Sequence, residues 1–164
     1  MDKIGRYDLL RLLGEGAMGR VHLALLRGPA GFEKQFAIKI LRETHSEQIK
    51  NTIISEGIIG GKLRHPNIVE VFELGEEHGQ FFLVMEYVNG ISLDQALVAT
   101  QFPAKACVEM GIQIAQGIRH IHEQDSQKLV HSDIKPSNIL ISRTGLVKVA
   151  DLGLIRSSFE AVQI

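Results

Sequence analysis

Polar and apolar residues alternate with a period of two in the first third of the chain. Arg20 to Leu25 follows this pattern, as does part of Gln35 to Ile40, so both runs are expected to be half-buried strands. Gly28, Pro29 and Gly31 separate them and predict a turn. The spacing then lengthens to a helical stretch over about Glu47 to Leu63. Strands follow near Val69 to Leu74 and Phe81 to Tyr87, punctuated by Pro66-Asn67 and His78-Gly79. In the middle of the chain, Ser92-Leu93-Asp94-Gln95 has the form of a capping box opening a short helix. Pro103 to Glu123 is the longest helical pattern, with Met110, Ile114, Ile118 and Ile121 on one face and Val108, Ile112 and Ala115 beside it. Short strands return at Ile139 to Ile141 and Val147 to Ala150, split by Arg143-Thr144-Gly145. Strands around one helix, then helices with a small hairpin, predict an α+β chain in two parts.

Composition changes this picture little. A chain of 164 residues with 45% apolar and 23% charged residues reads as an ordinary globular domain. A formal net charge of −1 gives no electrostatic case for a nucleic-acid or membrane partner. Cys107 is the single cysteine and forms no internal disulfide. No apolar run is long enough to cross a bilayer, and the charged residues among the first ten leave no secretory signal, so the expected location is cytoplasmic.

The chemistry lies in three places. Gly14-Glu15-Gly16-Ala17-Met18-Gly19-Arg20-Val21 has glycines at the spacing that lets backbone approach a phosphate. By itself this is weak: a glycine hairpin would show the same pattern. A dinucleotide fold would open a helix here, with an acidic residue roughly 20 positions on; this chain continues as a strand and has Lys34 there. Lys39 stands among Ala37, Ile38 and Ile40, one hairpin beyond the glycines, and Glu56 on the predicted helix could pair with it and orient its ammonium. Singly, either residue would more often be solvated.

The third place is the most specific. His131-Ser132-Asp133-Ile134-Lys135-Pro136-Ser137-Asn138 is followed by Asp151-Leu152-Gly153. Asp133 can accept a hydroxyl proton, Lys135 can neutralise a phosphate in transfer, and Asn138 and Asp151 offer hard oxygen ligands suited to Mg²⁺.

Together these motifs resemble the eukaryotic-type serine/threonine protein kinases, over about Ile4 to Arg156, with a compactness like that of bacterial members. The resemblance implies a two-lobe α+β kinase fold over residues 4–164. Residues 4–86 would be the small β-rich lobe and 87–164 the first part of the helical large lobe. It implies ATP and Mg²⁺ as cofactors and a protein serine or threonine hydroxyl as acceptor. Leu13, Gly14, Glu15, Gly16, Ala17, Met18, Gly19, Arg20 and Val21 would cover the phosphates. Lys39 would grip the α- and β-phosphates with Glu56 as its partner. Met85 falls at the gatekeeper position, and Glu86, Tyr87 and Val88 match the hinge that bonds adenine. Val21, Ala37 and Leu140 match the apolar residues around the ring. Asp133 would be the catalytic base, Lys135 its companion, and Asn138 and Asp151 the metal ligands.

Departures from the pattern carry their own expectations. Ser132 replaces the arginine that reads a phosphate on the activation loop, which argues against that switch and not against catalysis. Leu152 replaces the phenylalanine of the D-F-G motif. Gly57, Gly60 and Gly61 crowd the predicted helix, each costing about 1 kcal/mol relative to alanine in a helix interior. They predict a partly unwound helix and a poorly held Lys39–Glu56 pair. The sequence ends shortly after Asp151-Leu152-Gly153, so the resemblance reads it as truncated. Several of Met110, Ile114, Ile118, Ile121 and Val108 are then expected to face water or a covering protein partner. The alternative function is a catalytically inactive nucleotide-binding or interaction remnant. His120 and His122 lie two apart on a helix, do not share a face, and make a weak zinc pair.

Overall fold

The computed structural model describes residues 2–16, 19–41, 47–123, 129–152 and 156–157. The chain forms two compact units, residues 1–61 with 70–87, and residues 62–69 with 88–164. Strand-rich sequence dominates the first and helix the second, which is the α+β organisation expected from the patterning.

The first unit is a six-stranded antiparallel sheet and one helix. Its strands are β1 (Lys3–Ile4), β2 (Tyr7–Gly16), β3 (Gly19–Arg27), β4 (Glu33–Leu41), β5 (Val71–Glu77) and β6 (Gln80–Glu86), in the spatial order β1-β2-β3-β4-β6-β5. Period-two alternation sorts side chains to two faces. Ile4, Tyr7, Ala24, Phe36, Ile38, Phe82 and Val84 gather in one apolar cluster. Tyr7 packs edge-on against Phe36, and its hydroxyl donates to Glu73 at 2.8 Å. The backbone N–H of Gly5 donates to Glu77 at 2.7 Å. These bonds tie the β1 end of the sheet to β5, so the sheet is curled.

Helix α1 (Glu47–Gly60) runs unbroken among the described residues. It stays wound through Gly57, contrary to expectation, and ends at Gly60, short of the expected Leu63; packing supplies the reason for Gly57. A Cβ on Gly57 would lie 3.0 Å from both Cβ and Cδ2 of Leu74 on β5, so this glycine marks where the helix lies close on the sheet.

The second unit holds β7 (Gly90–Ser92), α2 (Leu93–Ala99), α3 (Ala104–Glu123), β8 (Leu129–Val130), β9 (Ile139–Ser142), β10 (Val147–Val149) and β11 (Arg156–Ser157). The capping box forms as expected, with Ser92 as the N-cap of α2 and Gln95 reaching back to the Ser92 backbone N–H at 3.2 Å. A three-stranded sheet has the order β10-β9-β7, and β8 pairs with β11. Met110 and Ile114 of α3 pack on Ile139, Val147 and Val149, and Ile121 is fully buried. The expected bare stripe is therefore mostly covered within this unit. Val108 and Ile112, on the other side of the helix, are left exposed, at 61% and 52%, as is Ala115.

Segment 62–69 belongs to this unit through Asn67. The Asn67 side chain donates to the Val147 carbonyl at 2.8 Å and to Gln113 at 3.1 Å, and its carbonyl accepts from Val149 N–H at 2.9 Å. Gly117 of α3 lets this backbone close in, because a Cβ there would lie 2.7 Å from the Asn67 carbonyl oxygen.

Candidate active site

In the first unit, strand register fixes the site residues. Val21 lies opposite Lys39, Ala37 opposite Met85, and Lys39 opposite Leu83. Residues directly opposite in antiparallel strands share a face, so Val21, Ala37, Lys39 and Met85 are on one face of the sheet. On that face Lys39 Nζ meets Glu56 Oε2 of α1 at 2.8 Å, with the side chains 9% and 1% exposed. The pair is closed and buried, contrary to the expectation of a poorly held one. An ammonium at this depth needs its carboxylate, because an unpaired charge out of water is costly.

The glycine loop is the hairpin between β2 and β3. Gly14 pairs with Val21, Glu15 with Arg20 and Gly16 with Gly19. Glu15 and Arg20 also form a salt bridge at 3.3 Å. Ala17 and Met18, at the tip, lie outside the described residues. Gly19 has a structural duty of its own: φ is +157°, and a Cβ there would overlap the Ile40 carbonyl oxygen. Leu13 lies on β2, at an irregularity in the pairing between Leu12 and Gly14. Glu86 ends β6, and its N–H donates to the Glu70 carbonyl at 2.9 Å. Tyr87 belongs to the first unit and Val88 to the second.

The second unit carries Asp133, Lys135, Asn138, Leu140 and Asp151, and hydrogen bonds organise them closely. Asn138 Nδ2 donates to Asp133 Oδ2 at 2.9 Å and to the Asp133 carbonyl at 3.0 Å. Lys135 Nζ lies 2.7 Å from the same Oδ2. The hydrogen bond from Lys135 is the main cause holding the Asp133 carboxyl below the usual carboxylate range; burial opposes it and Asn138 adds to it. Asp133 in turn raises Lys135. Asp133 is therefore an ionised acceptor at neutral pH, with its side chain 25% exposed.

His131 joins this loop to the strand end that carries Asp151. It is 1% exposed. Its Nε2 lies 3.2 Å from the Ala150 carbonyl, and Asp133 N–H approaches its Nδ1 at 3.3 Å. A carbonyl can only accept, so Nε2 carries the proton and the ring is neutral. Burial agrees, lowering the His131 pKa. Ala150 N–H donates to the Asn138 carbonyl at 2.8 Å, which brings the two candidate metal ligands into neighbouring backbone positions. Both Ser132 and Asp151 have positive φ, +58° and +59°. Such conformations are uncommon away from glycine and cluster at functional sites. Gly153 lies outside the described residues. The sequence had singled out His131 only as part of a motif; its position two residues before Asp133 was the available clue to a bridging role.

The residues fit a divalent cation in their chemistry. Asn138 spends its amide nitrogen on Asp133, which leaves its oxygen as the metal-type donor, and Asp151 adds a carboxylate. Among the described residues no group of three or more His, Cys, Asp or Glu could hold a metal, so Mg²⁺ here would also need oxygens from outside the protein, water among them.

Comparison with known proteins agrees with the geometry. The family described as protein kinase domain matches residues 7–162, and the chain belongs to it. Similar proteins include the serine/threonine-protein kinase PrkC of Bacillus subtilis, 37% identical over 153 residues, which cover 92% of this chain and 23% of that protein. The serine/threonine-protein kinase Nek5 of Homo sapiens is 34% identical over 160 residues, covering 95% of the chain and 22% of Nek5. The tyrosine-protein kinase MasK of Myxococcus xanthus is 32% identical over 170 residues, covering 96% and 26%. The chain thus spans about a quarter of the length of these relatives. Among the described residues no helix is long and apolar enough to cross a membrane.

Proposed function

We propose that this chain carries the catalytic machinery of a serine/threonine protein kinase, moving the γ-phosphate of ATP to a protein hydroxyl in the cytoplasm. Residues 4–86 act as the small lobe and 87–164 as its partner. The observation that carries the reading is the Asp133 carboxylate, ionised, partly exposed, and held by Lys135 at 2.7 Å and Asn138 at 2.9 Å. Such a group can orient an acceptor hydroxyl and take its proton as the oxygen attacks phosphorus.

Lys135 then offers positive charge to the phosphoryl oxygens. Lys39, oriented by Glu56, holds the nucleotide phosphates. The hairpin from Leu13 to Val21 covers them; Val21, Ala37 and Met85, on one face of the first unit's sheet, fit an adenine ring, and Leu140, Glu86 and Val88 are given the adenine-binding roles that the family resemblance implies. Asn138 and Asp151 are the residues that would hold Mg²⁺. The metal, when bound, supplies charge neutralisation on the phosphate oxygens. The Asp-Ile-Lys-Pro-Ser-Asn run resembles that of serine/threonine kinases, and two of the relatives, PrkC and Nek5, are named for serine/threonine activity.

The test is transfer of labelled γ-phosphate from Mg·ATP to a generic basic protein and to peptides whose only acceptor is serine, threonine or tyrosine. Label on serine or threonine is expected, and Asp133→Asn should lower the rate by roughly 10²–10⁴-fold, the usual share of a general base. Label that persists unchanged in Asp133→Asn, or a chain that ignores Mg·ATP, would end the reading.

A further inference from the structure

Gly57 follows Glu56 on α1, and the strand register shows what it rests on. Leu74 lies opposite Leu83, Leu83 opposite Lys39, and Lys39 opposite Val21. These four residues form one row across β5, β6, β4 and β3. Consecutive helix residues meet this row at two points. Glu56 reaches Lys39 at 2.8 Å. Gly57 lies against Leu74, with its absent Cβ 3.0 Å from Leu74 Cβ and Cδ2 and 3.2 Å from Cδ1. Contacts that short leave no room for a methyl group unless Leu74 or the helix shifts.

We infer that Gly57 is a positioning residue: by lacking a side chain it seats α1 at the depth on β5 that brings Glu56 to Lys39. The inference rests on the role given to Lys39 and Glu56 above. Glycine is otherwise a poor choice in a helix interior, where alanine is favoured. Helix propensity alone therefore predicts that Gly57→Ala tightens α1. Seating predicts the reverse, because the new methyl meets Leu74 and lifts the helix on the row that holds Lys39. Lys39 then keeps its strand position and loses the carboxylate that aims it.

Four variants separate these readings: Gly57→Ala, Glu56→Ala, the two combined, and Gly57→Ala with Leu74→Ala. Affinity is measured for Mg·ATP and for adenosine, which has no phosphates for Lys39 to hold. Gly57→Ala should weaken Mg·ATP roughly tenfold, a size usual for coupling between touching residues, and leave adenosine unchanged. In the Glu56→Ala background it should add nothing, since the carboxylate it positions is gone. Trimming Leu74 should restore most of the lost affinity. Amide exchange adds a readout without nucleotide, and protection over Ser55 to Gly60 should fall in Gly57→Ala.

Unchanged Mg·ATP binding in Gly57→Ala overturns the inference and leaves the kinase reading standing. So does an equal loss for adenosine, or a double variant with Leu74→Ala that stays as impaired. Higher protection of α1 in Gly57→Ala also overturns it. If the parent chain ignores Mg·ATP, the kinase reading fails, and the exchange result still decides whether Gly57 seats the helix.

Discussion

Each unit of the molecule holds a lysine against a carboxylate at almost the same distance, 2.8 Å for Lys39–Glu56 in the first and 2.7 Å for Lys135–Asp133 in the second. Their surroundings differ. The first pair is 9% and 1% exposed, between a sheet face and a helix, while the second is 51% and 25% exposed on a loop. Equal length therefore does not mean equal energy. A buried pair trades hydration for mutual attraction and becomes costly when one partner is removed. A solvated pair gains little, since water and salt screen it. The first pair keeps a charge in place away from water, and the second leaves one where solvent reaches it.

The largest effect should come from splitting the buried pair. Glu56→Ala takes a buried carboxylate from beside the Lys39 ammonium, and should cost up to about 3–5 kcal/mol of stability. For a chain of this size that lowers the melting midpoint by roughly 10 °C or more. The Lys39→Met, Glu56→Leu double variant removes both charges and should melt near the parent, because apolar replacement of a whole buried pair is often neutral or stabilising. A Glu56→Ala melt within 2–3 °C of the parent, on the order of 1 kcal/mol, would show that water reaches Lys39 and that the two pairs are alike.

This contrast was only half legible in the sequence. Lys39, Glu56, Asp133 and Lys135 stood out by residue type and by the resemblance of their motifs to those of protein kinases. Depth did not, because burial depends on which element covers which. Gly57, Gly60 and Gly61 read as a weak helix because propensity is local, whereas the reason for Gly57 is Leu74, on a strand that follows later in the chain. The long helix shows the same limit. Its period was plain, but the partners that cover Met110 and Ile114 lie on β9 and β10. Gly90–Ser92 pairs antiparallel with β9, and no alternation within three residues could have announced it.

A smaller effect tests charge in the second unit, where His65, like His131, is held away from its charged form. The His65 ring stacks on His120 with centroids 5.0 Å apart, and its Nδ1 accepts from Asn67 N–H at 3.1 Å. Burial lowers its pKa, and His120, Arg119 and Lys148 press in the same direction. The folded chain thus binds this proton less readily than the unfolded chain. Stability is full above the ordinary histidine value of 6.5 and is lost as pH falls below it toward the lowered folded value. The melting midpoint should decline from pH 7.5 to pH 5.5, and less steeply in His65→Phe, which keeps a ring and cannot titrate. Parallel pH profiles for the two proteins would remove His65 from the account.

The smallest expected change is the most informative about Lys135. Its ammonium is half exposed, and its pair with Asp133 belongs to the class whose removal is often unmeasurable in stability. Lys135→Ala should therefore melt with the parent while phosphoryl transfer falls, since the charge offered to the phosphate is gone and the fold is not. Asn138 continues to hold the Asp133 carboxylate through Nδ2, so the base stays in place and the loss reports charge rather than misplacement. Salt separates the pairs further: raising ionic strength should weaken what Lys135 contributes and leave the buried pair nearly untouched. If Lys135→Ala instead lowered the melting midpoint as far as Glu56→Ala, the loop pair would be structural, and the division of labour between the two lysines would be gone.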